Sequence, residues 1–183
     1  MGESDDITQY LQLMSELFSG HTMGFKSKDG YRYRCVPDLL LKEGVLFKDI
    51  RDPAGSNEQS ACKAKACYLN CFTLAAEEPD RYIYCEGYGV LASLGLPLPH
   101  AWVYDKTDKA VVDPTWAAAG NTGPDDIYLG IPFRLNYVAQ SMVVAGCLLD
   151  NYEQRHPILK DKPYKYMHNH FRSATSIYPS EGA

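Results

Sequence analysis

Nothing in the chain approaches the roughly 18 apolar residues of a membrane-spanning helix, which excludes a helical span. Its 183 residues carry 18 Lys and Arg against 23 Asp and Glu, a net charge of −5, and the basic residues are scattered rather than gathered in a stripe. Such a chain has no surface on which to neutralise a run of phosphates, so nucleic acid is not an expected partner. The N-terminus, Met1-Gly2-Glu3-Ser4-Asp5-Asp6, lacks the basic-then-apolar pattern of a secretory signal. Asp6 stands where a myristoylation motif needs Ser or Thr. Paired C-x2-C hooks of a zinc ribbon are also missing, since Cys62, Cys67 and Cys71 are spaced by 5 and 4, and His168 and His170 have no matching cysteines. Together these absences predict a cytoplasmic protein with no membrane attachment and no metal, whose six cysteines are free thiols. Its partners are then proteins, peptides or small molecules, and its oligomeric state stays open.

What is present is a globular balance, 45% hydrophobic and 22% charged, long enough for one domain over 1–183. A chain of this length buries about 70% of its unfolded surface on folding. Asp5 or Asp6 can cap an amphipathic helix over 5–18, with Ile7, Leu11, Met14, Leu17 and Phe18 on one face. Residues 20–30 read as a loop and Tyr31 to Val36 as a short strand. Pro37-Asp38 opens a helical turn, Leu39 to Lys42, that Gly44 stops. The turn-rich run Arg51 to Glu58 suits a rim over a site.

From Lys65 to Glu78 the pattern is helical, with Cys67, Cys71, Leu74 and Ala75 at three- and four-residue steps and Pro79 closing it. The period then changes to two through Tyr82–Gly87, followed by the turn Gly95-Leu96-Pro97-Leu98-Pro99. His100–Tyr104 and Ala110–Val112 form a hairpin about the polar turn Asp105–Lys109, whose aspartates read as solvated turn residues. Across that hairpin His100 and Asp113 fall near one another, where opposed side chains lie about 5 Å apart and a carboxylate can fix an imidazole tautomer. A cysteine at a helix N-terminus is well placed for nucleophilic attack, because the dipole and free N–H groups there favour a thiolate. Cys67, His100 and Asp113 thus supply nucleophile, base and orienting group.

Each position also has a quieter reading. Cys67 can be an inert buried thiol, His100 a satisfied structural histidine and Asp113 a cap for the turn at Pro114-Thr115. Cys71 reads as core, and Cys85 is a rival nucleophile in a strand without a dipole. Glu86 is either a substrate contact or half of a structural ion pair, and Trp102 and Trp116 either wall a cleft or fill the core. Tyr137 to Leu149 is apolar at helical steps and should cover the sheet. The C-terminal extension, 151–183, holds Pro157, Pro163 and Pro179 with little periodicity; it can wrap the domain, dock a partner or stay loose.

Cys67-Tyr68-Leu69-Asn70, Tyr84-Cys85-Glu86-Gly87-Tyr88-Gly89, His100-Ala101-Trp102 and Val112-Asp113-Pro114-Thr115-Trp116, in this order, resemble the transglutaminase-like, papain-like cysteine enzyme superfamily over about residues 59–138. Tyr128–Phe133 resembles small bacterial and phage members. The resemblance implies an α+β fold with a nucleophile helix packed on an antiparallel sheet, a core at about 59–150, and a Cys67, His100, Asp113 triad. It further implies thiol-dependent attack on an amide or isopeptide-type carbonyl through an acyl-enzyme, without cofactor. Gln59 resembles the glutamine placed upstream of the nucleophile as an oxyanion donor, with a solvated loop residue as its other reading, and the Cys67 backbone N–H is the second donor. Hydrolysis is the leading expectation. Transglutaminase-type amine transfer and a non-enzymatic binding module on the same fold are the alternatives, and a substrate is not specified.

Overall fold

The computed structural model describes residues 3–20, 29–53, 62–145, 147–149 and 156–171. Elements in chain order are α1 (Glu3–Gly20), α2 (Val36–Glu43), β1 (Val45–Phe47), α3 (Cys67–Glu77), β2 (Tyr82–Val90), β3 (Pro97–Asp105), β4 (Ala110–Val112), α4 (Pro114–Ala118), β5 (Ile127–Pro132) and α5 (Leu135–Ala145). Short 3₁₀ turns at Pro157–Leu159 and Asn169–Phe171 flank a last helix, α6 (Pro163–Tyr166). One antiparallel sheet of order β1-β5-β2-β3-β4 carries the helices, so the fold is α+β. Among the described residues no helix is long and apolar enough to cross a membrane.

Alternation along the central strands sorts side chains onto two faces, as a period of two requires. Tyr82, Tyr84, Ala101 and Val103 join Cys71, Leu74 and Ala75 of α3 and Ile7 and Leu11 of α1 in the larger core. Ile83, Cys85, Trp102, Val111 and Tyr128 form the smaller core on the other face, closed by Phe47 and Phe171. Helix α1 buries Ile7, Leu11 and Ser15, four residues apart, whereas Leu17, expected on that face, is 49% exposed.

Several local expectations change. No strand forms over 31–36: the backbone N–H groups of Arg32 and Tyr33 donate to the Leu159 carbonyl, so this segment is held by the C-terminal extension rather than by a sheet neighbour. Asp105 is fully buried instead of solvated, because Arg51 and Arg81 pair with its Oδ2 at 3.1 and 2.8 Å while the Thr107 and Asp108 N–H groups donate to Oδ1. Over 156–171 the extension wraps the domain, burying Ile158, Leu159, Tyr166 and Met167. The Arg134 and His168 N–H groups tie it to β5 by donating to the Tyr166 and Pro132 carbonyls.

Candidate active site

Strand β3 enters the sheet with His100 opposite Gly87, and β4 ends at Val112 opposite Val103. Continuing that register by one residue would set Asp113 against Trp102, so Asp113 and His100 are diagonal neighbours on one face rather than an opposed pair. Closure comes from the next element. Asp113 is the N-cap of α4, with Pro114 at the first helical position, and its Oδ1 accepts from the Thr115 and Trp116 N–H groups at 3.1 and 3.0 Å. That capping turns Oδ2 toward His100 Nε2, 2.6 Å away, while the Tyr128 hydroxyl donates to the same oxygen at 3.0 Å. The capping and orienting readings of Asp113 therefore describe two oxygens of one carboxylate.

The imidazole shares its cleft with Cys67, the first residue of α3, and that cysteine acts with Asp113 to favour the charged ring. With Nε2 held by Asp113, Nδ1 is the ring nitrogen left for another partner. Burial disfavours the charged ring, but the Asp113 carboxylate and the Cys67 contact outweigh it and hold the His100 imidazolium up to about 9. Trp116 stacks on His100 with ring centres 3.8 Å apart and planes 11° from parallel, which fixes the ring's tilt. A β-carbon at Gly89 would lie 2.7 Å from the Trp116 ring, so only glycine admits the indole against β2.

Cys67 begins α3, and the N-cap, Ala66, offers no side-chain acceptor. The first-turn N–H groups thus lack a side-chain cap and can serve a developing negative charge. The turn before the helix is pinned by Asn70, whose Oδ1 accepts from the Lys63 N–H at 3.0 Å. Its Nδ2 donates to the Lys63 carbonyl at 2.8 Å and to Thr115 Oγ1 at 2.9 Å. One side-chain amide thereby joins the nucleophile turn to the turn that carries Asp113. Cys67, His100, Thr115 and Trp116 line a cleft of about 500 Å³ together with Cys62, Lys63, Lys65 and Asn121. That volume suits a small ligand or one side chain with its neighbours.

Cys67, His100, Asp113 and Trp116 are brought together; Glu86 and Trp102 are not at the cleft. Glu86 is fully buried and accepts from the Tyr84 hydroxyl, the Cys147 thiol and the Leu148 and Leu149 N–H groups, all neutral donors, so neither a substrate contact nor an ion pair describes it. Burial pushes its carboxyl up to about 7 against those hydrogen bonds. Trp102 is fully buried in the smaller core against Phe47 and Tyr128, its indole N–H without a partner among the described residues. It shares a face with His100 but lies two residues further along β3, where Phe47 and Tyr128 cover it. Gln59 lies outside the described residues. Cys85 is fully buried and Cys71 donates to the Ala101 carbonyl; burial raises both thiols well above their ordinary range. A buried thiol held protonated in this way is a poor nucleophile.

Asn70 and Tyr128 are the positioning residues that the sequence pattern did not single out. A polar Asn three residues after Cys67, on the helix's buried face, is the signal available for the first. Tyr128 carries none, because its role depends on β5 pairing with β2. Among the described residues no cluster of three or more His, Cys, Asp or Glu is arranged to hold a metal ion. No family model, curated protein or solved structure matches the chain.

Proposed function

We propose that the protein is a cysteine-dependent acyl-transfer enzyme that hydrolyses an amide or isopeptide-type bond on a papain-like, transglutaminase-like core. One observation carries the reading: a buried imidazole held at 2.6 Å by a carboxylate on one nitrogen lines the same cleft as a thiol at a helix N-terminus. A structural histidine needs neither a cleft in front of it nor a thiol in that cleft.

The chemistry balances with these groups alone. Cys67 Sγ, as thiolate beside the imidazolium, forms a bond to the carbonyl carbon and pushes the carbonyl electrons onto oxygen, where first-turn N–H groups of α3 receive the charge. Collapse breaks the C–N bond, and His100 Nδ1 gives its proton to the departing amine. The neutral ring then takes a proton from water as its oxygen attacks the thioester, and the thiolate leaves to restore the resting pair. Asp113 keeps its charge and holds the ring in place throughout. Asn70 and Tyr128 act through Lys63 and Asp113 rather than on substrate.

Reaction with p-nitrophenyl acetate tests this directly. The expected result is a burst of p-nitrophenolate stoichiometric with protein and an acetyl group on Cys67 by peptide mass spectrometry. Both disappear in Cys67→Ala. Steady release with no acyl group on Cys67 would contradict the proposal.

A further inference from the structure

Part of the cleft lining comes from a turn whose backbone is strained. Lys65 adopts φ +60°, the left-handed region that a non-glycine residue enters only when its surroundings compel it. Such a conformation is strained for a residue with a β-carbon, and glycine would adopt it freely. The surroundings do compel it. The two Asn70 hydrogen bonds to the Lys63 backbone fix one side of the turn, and the Ala66 N–H donates to the Lys63 carbonyl at 3.3 Å on the other. A long cationic side chain therefore occupies a position where the backbone alone would favour glycine, and it lines the cleft beside a second lysine, Lys63.

Charge around the cleft runs against the molecule as a whole. The chain carries a net −5, yet the cleft lining holds Lys63, Lys65 and the His100 imidazolium and, among the described residues, no carboxylate. Asp113 lies beneath the ring, fully buried, with its oxygens taken by His100, Tyr128 and two backbone N–H groups. The same lining includes Trp116, Ala118 and Ala119, an apolar surface for the uncharged part of a ligand. Low-dielectric walls lined by one sign of charge concentrate ligands of the other sign.

Resting on the acyl-transfer reading above, we infer that Lys63 and Lys65 select an acyl donor bearing an anionic group, carboxylate or phosphoryl, close to the carbonyl that Cys67 attacks. Trp116 and the alanines receive the remainder of the acyl chain. The lysines are specificity determinants and take no part in bond making.

Alkylation of Cys67 by iodoacetate and by iodoacetamide, site-resolved by peptide mass spectrometry on the full chain, separates this inference from the reading beneath it. The two probes differ by one carboxylate. Their rate ratio at Cys67 is expected to favour iodoacetate in the wild type and to fall about 3-fold in Lys63→Gln and about 3-fold in Lys65→Gly, the size of one partly screened unit charge at this range. Lys65→Gly also relieves the strained φ, so a misfolded turn does not explain its effect. A ratio that both variants leave at the wild-type value overturns the inference while leaving the nucleophile intact. A wild-type Cys67 that reacts with both probes as slowly as an ordinary thiol overturns the acyl-transfer reading instead. Slowing of iodoacetamide by succinate more than by inorganic phosphate assigns the anion as carboxylate, and the reverse assigns it as phosphoryl.

Discussion

Asp113 and Glu86 are both fully buried carboxylates on either side of His100, and the molecule uses them in opposite ways. Asp113 takes backbone N–H groups on one oxygen and a hydroxyl and an imidazole on the other, so its charge is matched by a cation. Glu86 takes only neutral donors, from Tyr84, Cys147, Leu148 and Leu149, and its carboxyl is lifted to about 7. One anion orients a ring that faces a cleft; the other anchors the 147–149 segment across β2. The difference teaches that burial of an acid does not mark a site by itself. A titratable partner that reaches a cavity does.

Removing each acid should break the comparison most sharply. Asp113→Ala strands the imidazolium and three neutral donors, and urea unfolding is expected to show a loss of about 3–5 kcal/mol, the usual cost of breaking a buried charge pair. The same substitution should slow Cys67 alkylation at neutral pH by about 10-fold or more. Glu86→Ala is expected to leave the Cys67 rate within about 2-fold while costing about 1–3 kcal/mol for the unpaired donors.

The two groups should also write separate windows in the pH dependence of stability. Glu86 has its folded pKa raised from an ordinary 4.5 to about 7, so the folded state holds the proton more tightly and stability falls as pH climbs from about 4.5 through 7. His100 is raised from 6.5 to about 9, so its contribution is complete below about 6.5 and is lost as pH rises through about 9. Each window is on the order of 3 kcal/mol. Glu86→Gln should flatten the lower window and His100→Gln the upper one, read from urea midpoints across the pH series.

Smaller effects refine the contrast. Asn70→Ala frees the Lys63 backbone and Thr115, with an expected loss of about 1–3 kcal/mol and a slower Cys67, measured by unfolding and alkylation together. Trp116→Leu removes the ring stacked on His100 and should cost about 0.5–1.5 kcal/mol beyond its buried area, with Cys67 slowed because the imidazole tilts.

The helix over Cys67–Glu77 and the β3–β4 hairpin were legible because their periods are local and their stops, Pro79 and the Asp105–Lys109 turn, are strong. Asp113 was legible twice over, as a cap before Pro114 and as an acid near His100, and each reading found one of its oxygens. The core and cleft readings of Trp102 could not be separated in sequence, because it shares a face with His100 and only the distant Phe47 and Tyr128 cover it. Asp105 was misread because its partners, Arg51 and Arg81, come from distant segments. The segment 31–36 looks like a strand by composition, and only the returning C-terminal extension decides otherwise. Glu86 shows the same limit: nothing near it in sequence announces that residues 147–149 will cap it.

The most direct test of the central claim is the rate of Cys67 alkylation by iodoacetamide at pH 7, compared with Cys35, Cys71 and Cys85 in the same sample and repeated in His100→Ala. The account expects Cys67 to outpace the other three and to lose about 10-fold or more of its rate without the imidazole. A Cys67 no faster than an ordinary exposed thiol, and indifferent to His100→Ala, would contradict it.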